Sequence, residues 1–182
     1  MPTLALYHLS GVAAICAGLC VILGSLFSNL VKPEGTLGSA FNFLSALLGL
    51  FGITGFYLFQ RAESGIFGFI AYVVVFTGLS LIMCIDYGGT FLVLSLSPEE
   101  AMKLQRGPSL TAQIVSGMVF LVGAILFGVS VIVAGVSSKI ASVFFMIGFL
   151  ATPLREAYPL IVFAGSVLSG TGLIWWGVSL WL

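Results

Sequence analysis

The charged residues of this chain are so few that they divide it into long uncharged runs. Only 7% of its 182 residues are Asp, Glu, Lys or Arg, and 60% are hydrophobic. A soluble globular domain carries roughly 25% charged residues. About twenty apolar residues in a helix are enough to cross the hydrocarbon core of a bilayer. The composition therefore predicts an integral membrane protein in contact with the lipid bilayer.

Charged and turn-forming residues separate six apolar segments, each of which we expect to be a transmembrane helix. An open sheet leaves backbone groups without partners in lipid, and the apolar–polar alternation of barrel strands is absent. The predicted fold class is therefore all-α, a polytopic transmembrane helical bundle forming one domain over residues 1–182. The third span either ends at Asp86 or continues to Leu96, because the residues after Asp86 are again apolar. The predicted spans cover residues 4–30, 37–59, 65–85, 110–135, 140–154 and 159–182.

The first apolar segment differs from a cleavable signal peptide. No Lys or Arg precedes it, and it is longer than the hydrophobic core of about 7–15 residues that such signals have. We therefore expect a membrane span that the protein retains.

The connection between the third and fourth spans carries the signals of a short amphipathic helix. Ser97 can cap its N-terminus, and Glu100 stands where a capping box has its acidic residue. A Gly-Pro pair at residues 107–108 is typical of a helix end. The predicted helix covers residues 97–106 and lies outside the membrane.

Six spans place both termini on one side of the membrane, together with Arg61 and Lys139. The other side then holds the remaining four of the six basic residues, but also five of the six acidic ones. Cytoplasmic loops carry an excess of Lys and Arg. The small difference between the two sides does not decide the orientation by counting.

Charge and motifs argue against several classes of function. The net charge is zero and the six basic residues are scattered singly, so we expect no surface for nucleic acid. The sequence has no Ser–His–Asp set, no glycine-rich phosphate loop followed by Lys, and no cluster of metal ligands. We therefore expect a protein that is not an enzyme and has neither a cofactor nor a metal site.

Histidine and cysteine offer two minor possibilities. His8 is the single histidine and so the only candidate axial ligand for a haem or pigment, although a ring this close to a span end ordinarily lies at the membrane interface. Cys20 and Cys84 reach similar depths if the first and third spans run parallel, which would allow a redox pair. Thiols buried in helices without a nearby cation stay protonated, and we expect these to be unreactive.

Asp86 is the most informative polar residue of the sequence. It follows about twenty helical residues, or about 30 Å of helix, and therefore lies at the far boundary of the hydrocarbon. Asn29, Arg155 and Glu156 share that side of the membrane. Together these residues form either a solvated rim or a pocket for a small ligand or lipid headgroup, in which Asp86 and Arg155 can pair.

Small residues predict where the helices pack on one another. Lipid supplies no hydrophobic drive between helices, so close backbone approach and dispersion have to hold the bundle together. The helix-packing candidates are Gly18, Gly49, Gly52, Gly55 and Gly170.

Three tryptophans stand near the end of the last span, at positions 175, 176 and 181. Such rings are typical of the aromatic belt at the membrane interface. Trp176 lies deeper than Trp181, and stacking on a ligand ring or polyene is its alternative role.

Four segments together give the chain a family resemblance. Residues 8–14 read HLSGVAA, residues 55–63 read GFYLFQRAE, residues 65–70 read GIFGFI, and the tail 170–181 reads GTGLIWWGVSLW. The chain resembles an uncharacterised family of small bacterial multi-pass membrane proteins. The resemblance implies a six-helix fold in the bacterial cytoplasmic (inner) membrane with cytoplasmic termini, and it brings no assigned activity.

Two functions from different classes fit these observations. The first is a structural or accessory subunit that packs against other membrane protein subunits, or against copies of itself, with lipid or pigment contacts. Sparse polarity near the middle of the spans favours it, because a transport path normally needs polar groups there. The alternative is a small membrane carrier or ligand-binding protein with a polar cavity at Asp86 and Arg155.

Overall fold

The computed structural model describes residues 2–31, 36–92, 96–97, 99–100, 103, 108–154 and 158–181, and these residues contain helices and turns but no strand. Arg155 and Glu156 lie outside the described residues. The helices are α1 (Pro2–Leu26), α2 (Thr36–Tyr87), α3 (Pro108–Ala134), α4 (Lys139–Leu150) and α5 (Pro159–Ser179).

Three short helical turns extend these elements. A π-helical turn, Phe27–Val31, follows α1, and a second, Gly88–Leu92, follows α2. A 3-10 turn, Thr152–Leu154, follows α4. The chain therefore stays helical beyond Asp86 as far as Leu92.

Four of the helical stretches are long and apolar enough to cross a membrane. They are Leu4–Val31, Thr36–Leu92, Ser109–Ala134 and Pro159–Ser179. A fifth stretch, Lys139–Leu154, is also apolar but shorter. The all-α class is confirmed for the described residues, and the four long apolar helices fit the membrane character expected from composition.

Helix α2 is a hairpin that reverses at Gly65. A straight helix over the 57 residues of Thr36–Leu92 would be roughly 85 Å long, far more than the hydrocarbon core of about 30 Å. Gly65 instead has φ 56° and ψ −149°, a backbone conformation that is essentially restricted to glycine. The chain folds back there, and the residues on its two sides, 36–64 and 66–87, form a first arm and a second arm.

Contacts between the two arms show that they run antiparallel. The rings of Tyr57 and Tyr72 stack with 4.4 Å between their centroids. The hydroxyls of Thr54 and Tyr72 are 3.1 Å apart. Farther from the turn, the ring of Phe43 lies 5.8 Å from that of Tyr87. The first arm continues past Phe59, where the sequence predicted the end of a span, to the turn at Gly65.

The helices pack through glycine. α1 contacts both α2 and α5, α2 contacts α3, and α4 contacts α5 and α3. A Cβ atom built on Gly18 would lie 2.5 Å from the carbonyl oxygen of Gly170, so α1 and α5 touch through their backbones. The other three predicted packing positions also lie at helix contacts: Gly49 faces Leu79 across the α2 hairpin, Gly52 faces Ala14, and Gly55 faces Ser10.

Three contacts gather both termini and two turns at one end of the bundle. His8 stacks on Trp181 at 4.6 Å, and Tyr7 packs edge-on against Phe59 at 6.1 Å. The hydroxyls of Ser137 and Ser179 are 3.2 Å apart. We call this the Arg61 end, because the hairpin turn that carries Arg61 lies there. The opposite end, with the two π-helical turns, is called the Asp86 end.

Ser97 and Glu100 form the predicted capping box. The Ser97 hydroxyl and backbone N–H donate to Oε2 of Glu100 at 2.7 and 2.9 Å, and the Glu100 N–H points back to the Ser97 hydroxyl at 3.4 Å. Residues 99, 100 and 103 are helical. The rest of the predicted helix, residues 98, 101–102 and 104–106, lies outside the described part of the chain.

Replacing Gly65 tests the hairpin turn. Gly65→Ala is expected to lower the free energy of unfolding by about 1–3 kcal/mol, because a Cβ atom strains this backbone conformation. Reversible unfolding in mixed micelles, followed by circular dichroism, measures the change. Gly117→Ala is the matched control, since a Cβ atom at Gly117 of α3 meets nothing within 4 Å. Equal losses in the two variants would contradict the role of Gly65.

The capping box also has a pH signature. Hydrogen bonds from the Ser97 hydroxyl and backbone N–H lower the pKa of Glu100. Because the folded pKa lies below the unfolded one, the stabilisation is present above the unfolded pKa and is lost as pH falls through the folded value. Ser97→Ala should raise the pKa of Glu100 toward its ordinary range, as an NMR titration of its carboxyl carbon would measure. An unchanged pKa in that variant would exclude the hydroxyl as the cause.

Candidate functional site

A cavity of about 260 Å³ lies between the helices in the half of the bundle nearer the Asp86 end. All five helices contribute to its wall. Its polar lining residues are Ser25, Ser28, Asn29, Asn42, Ser45, Asp86, Thr152 and Ser166, and its apolar ones include Val21, Ile53, Val75, Leu79, Phe120, Phe145, Phe149, Val162 and Leu173.

The two π-helical turns flank the polar end of this cavity, which we call its mouth. Asn29 lies within the first turn, and Asp86 lies two residues before the second. A π-helical turn adds a residue to a helical turn and is frequent at functional sites. Asn29 donates from Nδ2 to the carbonyl and the hydroxyl of Ser25, both at 2.9 Å. Its amide nitrogen is therefore engaged, which leaves its side-chain oxygen as an acceptor.

Glycines hold two further polar residues at the mouth. A Cβ atom on Gly24 would collide with Oδ1 of Asn42, and one on Gly38 would collide with the Ser28 hydroxyl. Asn42 of the first arm thus lies against the backbone of α1, and Ser28 lies against the backbone of the first arm. Neither residue was predicted from the sequence to line a site. The sequence shows the glycines Gly24 and Gly38, but it does not show which polar side chain packs against each of them.

The polar groups of the cavity come mainly from its mouth, and the interior is apolar. Ser166 of α5 donates its hydroxyl to the carbonyl of Val162 at 2.9 Å, so that its lone pairs remain as acceptors. Deeper residues such as Val75 and Leu173 are buried and carry no polar side-chain atom. The site is thus amphipathic, with acceptor oxygens at one end and hydrocarbon at the other.

Four packed aromatic rings lie between the cavity and the Arg61 end. Phe145 lines the cavity and lies 4.5 Å from the ring of Trp176. Trp176 also stacks on Phe56 at 4.9 Å and meets Phe127 edge-on at 5.7 Å. All four side chains are at most 2% exposed. These four rings are called the aromatic layer.

The belt prediction was wrong for Trp176. That ring is 1% exposed, whereas Trp175 and Trp181 are 41% and 53% exposed and lie on the surface of the bundle. Trp176 continues the buried small-residue face of α5 that contains Gly165, Ser169 and Gly172. Spacings of four, three and four residues put these positions on one side of a helix, so the sequence did carry the signal.

The remaining predicted site residues lie apart from the cavity or outside the described chain. Of the four pocket candidates, Asp86 and Asn29 line the same cavity. His8 lies at the opposite end, stacked on Trp181. Cys20 is buried and Cys84 exposed, and neither thiol is in a disulfide or lines the cavity. Within the residues that the structure describes, no group of three His, Cys, Asp or Glu could hold a metal ion.

The arrangement suits binding better than covalent chemistry. Asp86 is the one ionisable residue among the described lining residues. Covalent catalysis needs a nucleophile within hydrogen-bond reach of a base, and no such pair is identified among them. Asn29 and Ser166 offer acceptor oxygens to a polar group beside the Asp86 carboxylate, and the apolar interior can take a hydrocarbon part.

No protein-family model, curated protein or solved structure matches the chain. The resemblance to small bacterial membrane proteins therefore stays a prediction.

Trp176 should be the tryptophan on which stability depends most. Trp176→Ala is expected to cost about 3–5 kcal/mol of unfolding free energy, because it leaves a cavity among three other rings. Trp175→Ala, one residue away and 41% exposed, should cost clearly less. Unfolding in mixed micelles measures both variants. Similar losses would mean that the aromatic layer does not hold the helices together.

Proposed function

We propose that this protein crosses the membrane six times and binds a small amphipathic molecule in the cavity at the Asp86 end, as a ligand-binding protein or carrier without catalytic activity. The observation that carries the proposal is the cavity itself, built from all five helices with Asp86 and Asn29 at its mouth. Ligand sites are typically apolar concavities with a few placed polar groups.

Helix lengths support six crossings. The hairpin at Gly65 gives α2 two arms, each long enough for one crossing. The stretch Lys139–Leu154 spans roughly 24 Å, and Lys139 can extend its amine from the apolar region to the interface. With six crossings, the Arg61 end carries both termini. The location proposed with this topology is the bacterial cytoplasmic membrane, with the Arg61 end inside, and it rests on the family resemblance.

The size and polarity of the cavity define the class of ligand. An apolar cavity of about 150 Å³ binds benzene, so 260 Å³ has room for a short hydrocarbon chain with a polar head. The head is expected near Asp86 and Asn29, and the chain near Val75 and Leu173. Because acceptor oxygens and one carboxylate line the mouth, a head that donates hydrogen bonds and carries positive charge should bind best.

The accessory-subunit function remains the second proposal, with less support. The predicted packing glycines contact other helices of the same chain, so these faces are occupied within the bundle. Mild-detergent extraction from native membranes followed by native mass spectrometry tests it. Co-purification of other subunits at fixed stoichiometry would favour this function, and a lone chain would disfavour it.

Three hexyl compounds test the cavity. Hexylguanidinium, hexanol and hexanoate share their chain and differ in the head, and we expect thermal stabilisation of the purified protein to fall in that order. A ligand at about 100 times its Kd stabilises by about 2.7 kcal/mol. Asp86→Asn should weaken the stabilisation by hexylguanidinium and leave that by hexanol nearly unchanged.

Two serines provide a matched control for the location of the site. Ser166 and Ser80 each donate only to a carbonyl one turn earlier, at 2.9 and 2.8 Å, but Ser166 lines the cavity and Ser80 does not. Ser166→Leu should therefore abolish the stabilisation, while Ser80→Leu should keep it. The proposal is falsified if the hexyl compounds stabilise neither the parent protein nor Ser80→Leu.

A further inference from the structure

A second polar cluster is buried near the Arg61 end, beyond the aromatic layer. Gln60 of the first arm is 0% exposed, and its Nε2 donates to the Ser130 hydroxyl of α3 at 3.2 Å. The Gln60 oxygen Oε1 has no hydrogen-bond partner in the part of the chain that the structure describes. Ser64, one helical turn later and 8% exposed, has a buried hydroxyl that also finds none there.

Two of these side chains, those of Ser64 and Ser130, meet at Gly68. A Cβ atom built on Gly68 would collide with the Ser64 hydroxyl and lie 3.2 Å from that of Ser130. The Ser64 hydroxyl therefore occupies the space that a side chain at position 68 would fill, beside the hydroxyl of Ser130. Buried polar groups without partners cost free energy and are rare in folded proteins. Because Oε1 of Gln60 can only accept and the Ser64 hydroxyl can accept as well as donate, these two groups indicate a site for a hydrogen-bond donor.

This cluster follows the aromatic layer directly. Phe56 precedes Gln60 by one helical turn, and Phe127 precedes Ser130 by three residues. The rings of Phe56 and Phe127 are 6.5 Å apart, so the ring pair and the polar pair are successive contacts of the same α2–α3 interface. Along the bundle, the order is therefore polar mouth, apolar cavity, aromatic layer and polar cluster.

We infer that Gln60, Ser64 and Ser130 form a second binding site, which takes the N–H or O–H donors of the cavity ligand after its head has passed the aromatic layer. This inference rests on the proposed function and makes the protein a carrier. The Gln60 oxygen can only accept, and the Ser64 hydroxyl can accept as well as donate, so the site suits a guanidinium, ammonium or hydroxyl head. A bound water offers the same O–H donors, and the uptake of a labelled ligand distinguishes a ligand site from a water site.

The test uses the full-length protein in lipid vesicles and radiolabelled hexylguanidinium, a permanently charged probe with N–H donors. Uptake into the vesicles and thermal stabilisation of the purified protein are both measured for Ser64→Ala, Gln60→Leu and the control Ser80→Leu. Ser64→Ala removes a single oxygen and should leave the fold intact, so that the test does not depend on how well Gln60→Leu folds.

We expect Ser64→Ala to bind the probe in the cavity like the parent protein but to take it up roughly tenfold more slowly, the factor that corresponds to about 1.4 kcal/mol. Ser80→Leu should retain both binding and uptake. Unchanged uptake in Ser64→Ala and Gln60→Leu would overturn the inference and identify the cluster as a water site. Binding without uptake by the parent protein would also overturn it while leaving the cavity standing. If the parent protein does not bind the probe at all, the proposed function and the inference fail together.

Discussion

Backbone contact between helices is the constraint on which the rest of this structure depends. Gly18 and Gly170 bring α1 and α5 so close that neither position has room for a Cβ atom, and Gly11 and Gly177 repeat this contact nearer the Arg61 end. Lipid tails are as apolar as the side chains, so they do not drive helices together. Dispersion between closely packed atoms has to supply the association, and it falls steeply when a gap opens.

The same requirement explains where polar groups can lie inside the bundle. At the Asp86 end, the glycines of α1 and the first arm make room for the side chains of Asn42 and Ser28, and the helices meet through polar atoms beside a cavity. In the middle, large rings around Trp176 fill the space. Nearer the Arg61 end, Gly68 leaves space for the hydroxyls of Ser64 and Ser130. Small residues thus decide both the tight contacts and the polar sites.

Much of the helical framework was predictable from local features. The apolar segments of the sequence are helical over most of their described residues, and Ser97 and Glu100 form their capping box because that contact joins residues three apart. Asp86 and Asn29 were expected on one side of the membrane because both follow long apolar segments that end there, and both line the cavity. These inferences need only chain direction, helix rise and the polarity of each residue.

Gln60 and Trp176 show that the residues next to a position in the sequence do not decide its place in the bundle. Gln60 stands beside Arg61 in a polar stretch that reads as the end of a span, yet it is fully buried because the first arm continues to Gly65 and packs on α3. Trp176 stands in a group of tryptophans that reads as an interfacial belt, yet it faces inward beside Phe56. In both cases burial was decided by the side of the helix on which the residue lies. Residues that are adjacent in the sequence lie on different sides of a helix.

The sequence by itself determined that the protein is helical and belongs to a membrane, because twelve charges cannot solvate 182 residues and because lipid requires every backbone group to bond within its own segment. It also determined where the helical segments lie. Only the tertiary structure decided which helices are neighbours, and hence that Asp86 and Asn29 share a cavity and that Gln60 meets Ser130. The physical reason is that helix packing depends on the fit of whole surfaces, to which residues far apart in the chain contribute, whereas helix formation depends on residues within a turn of one another.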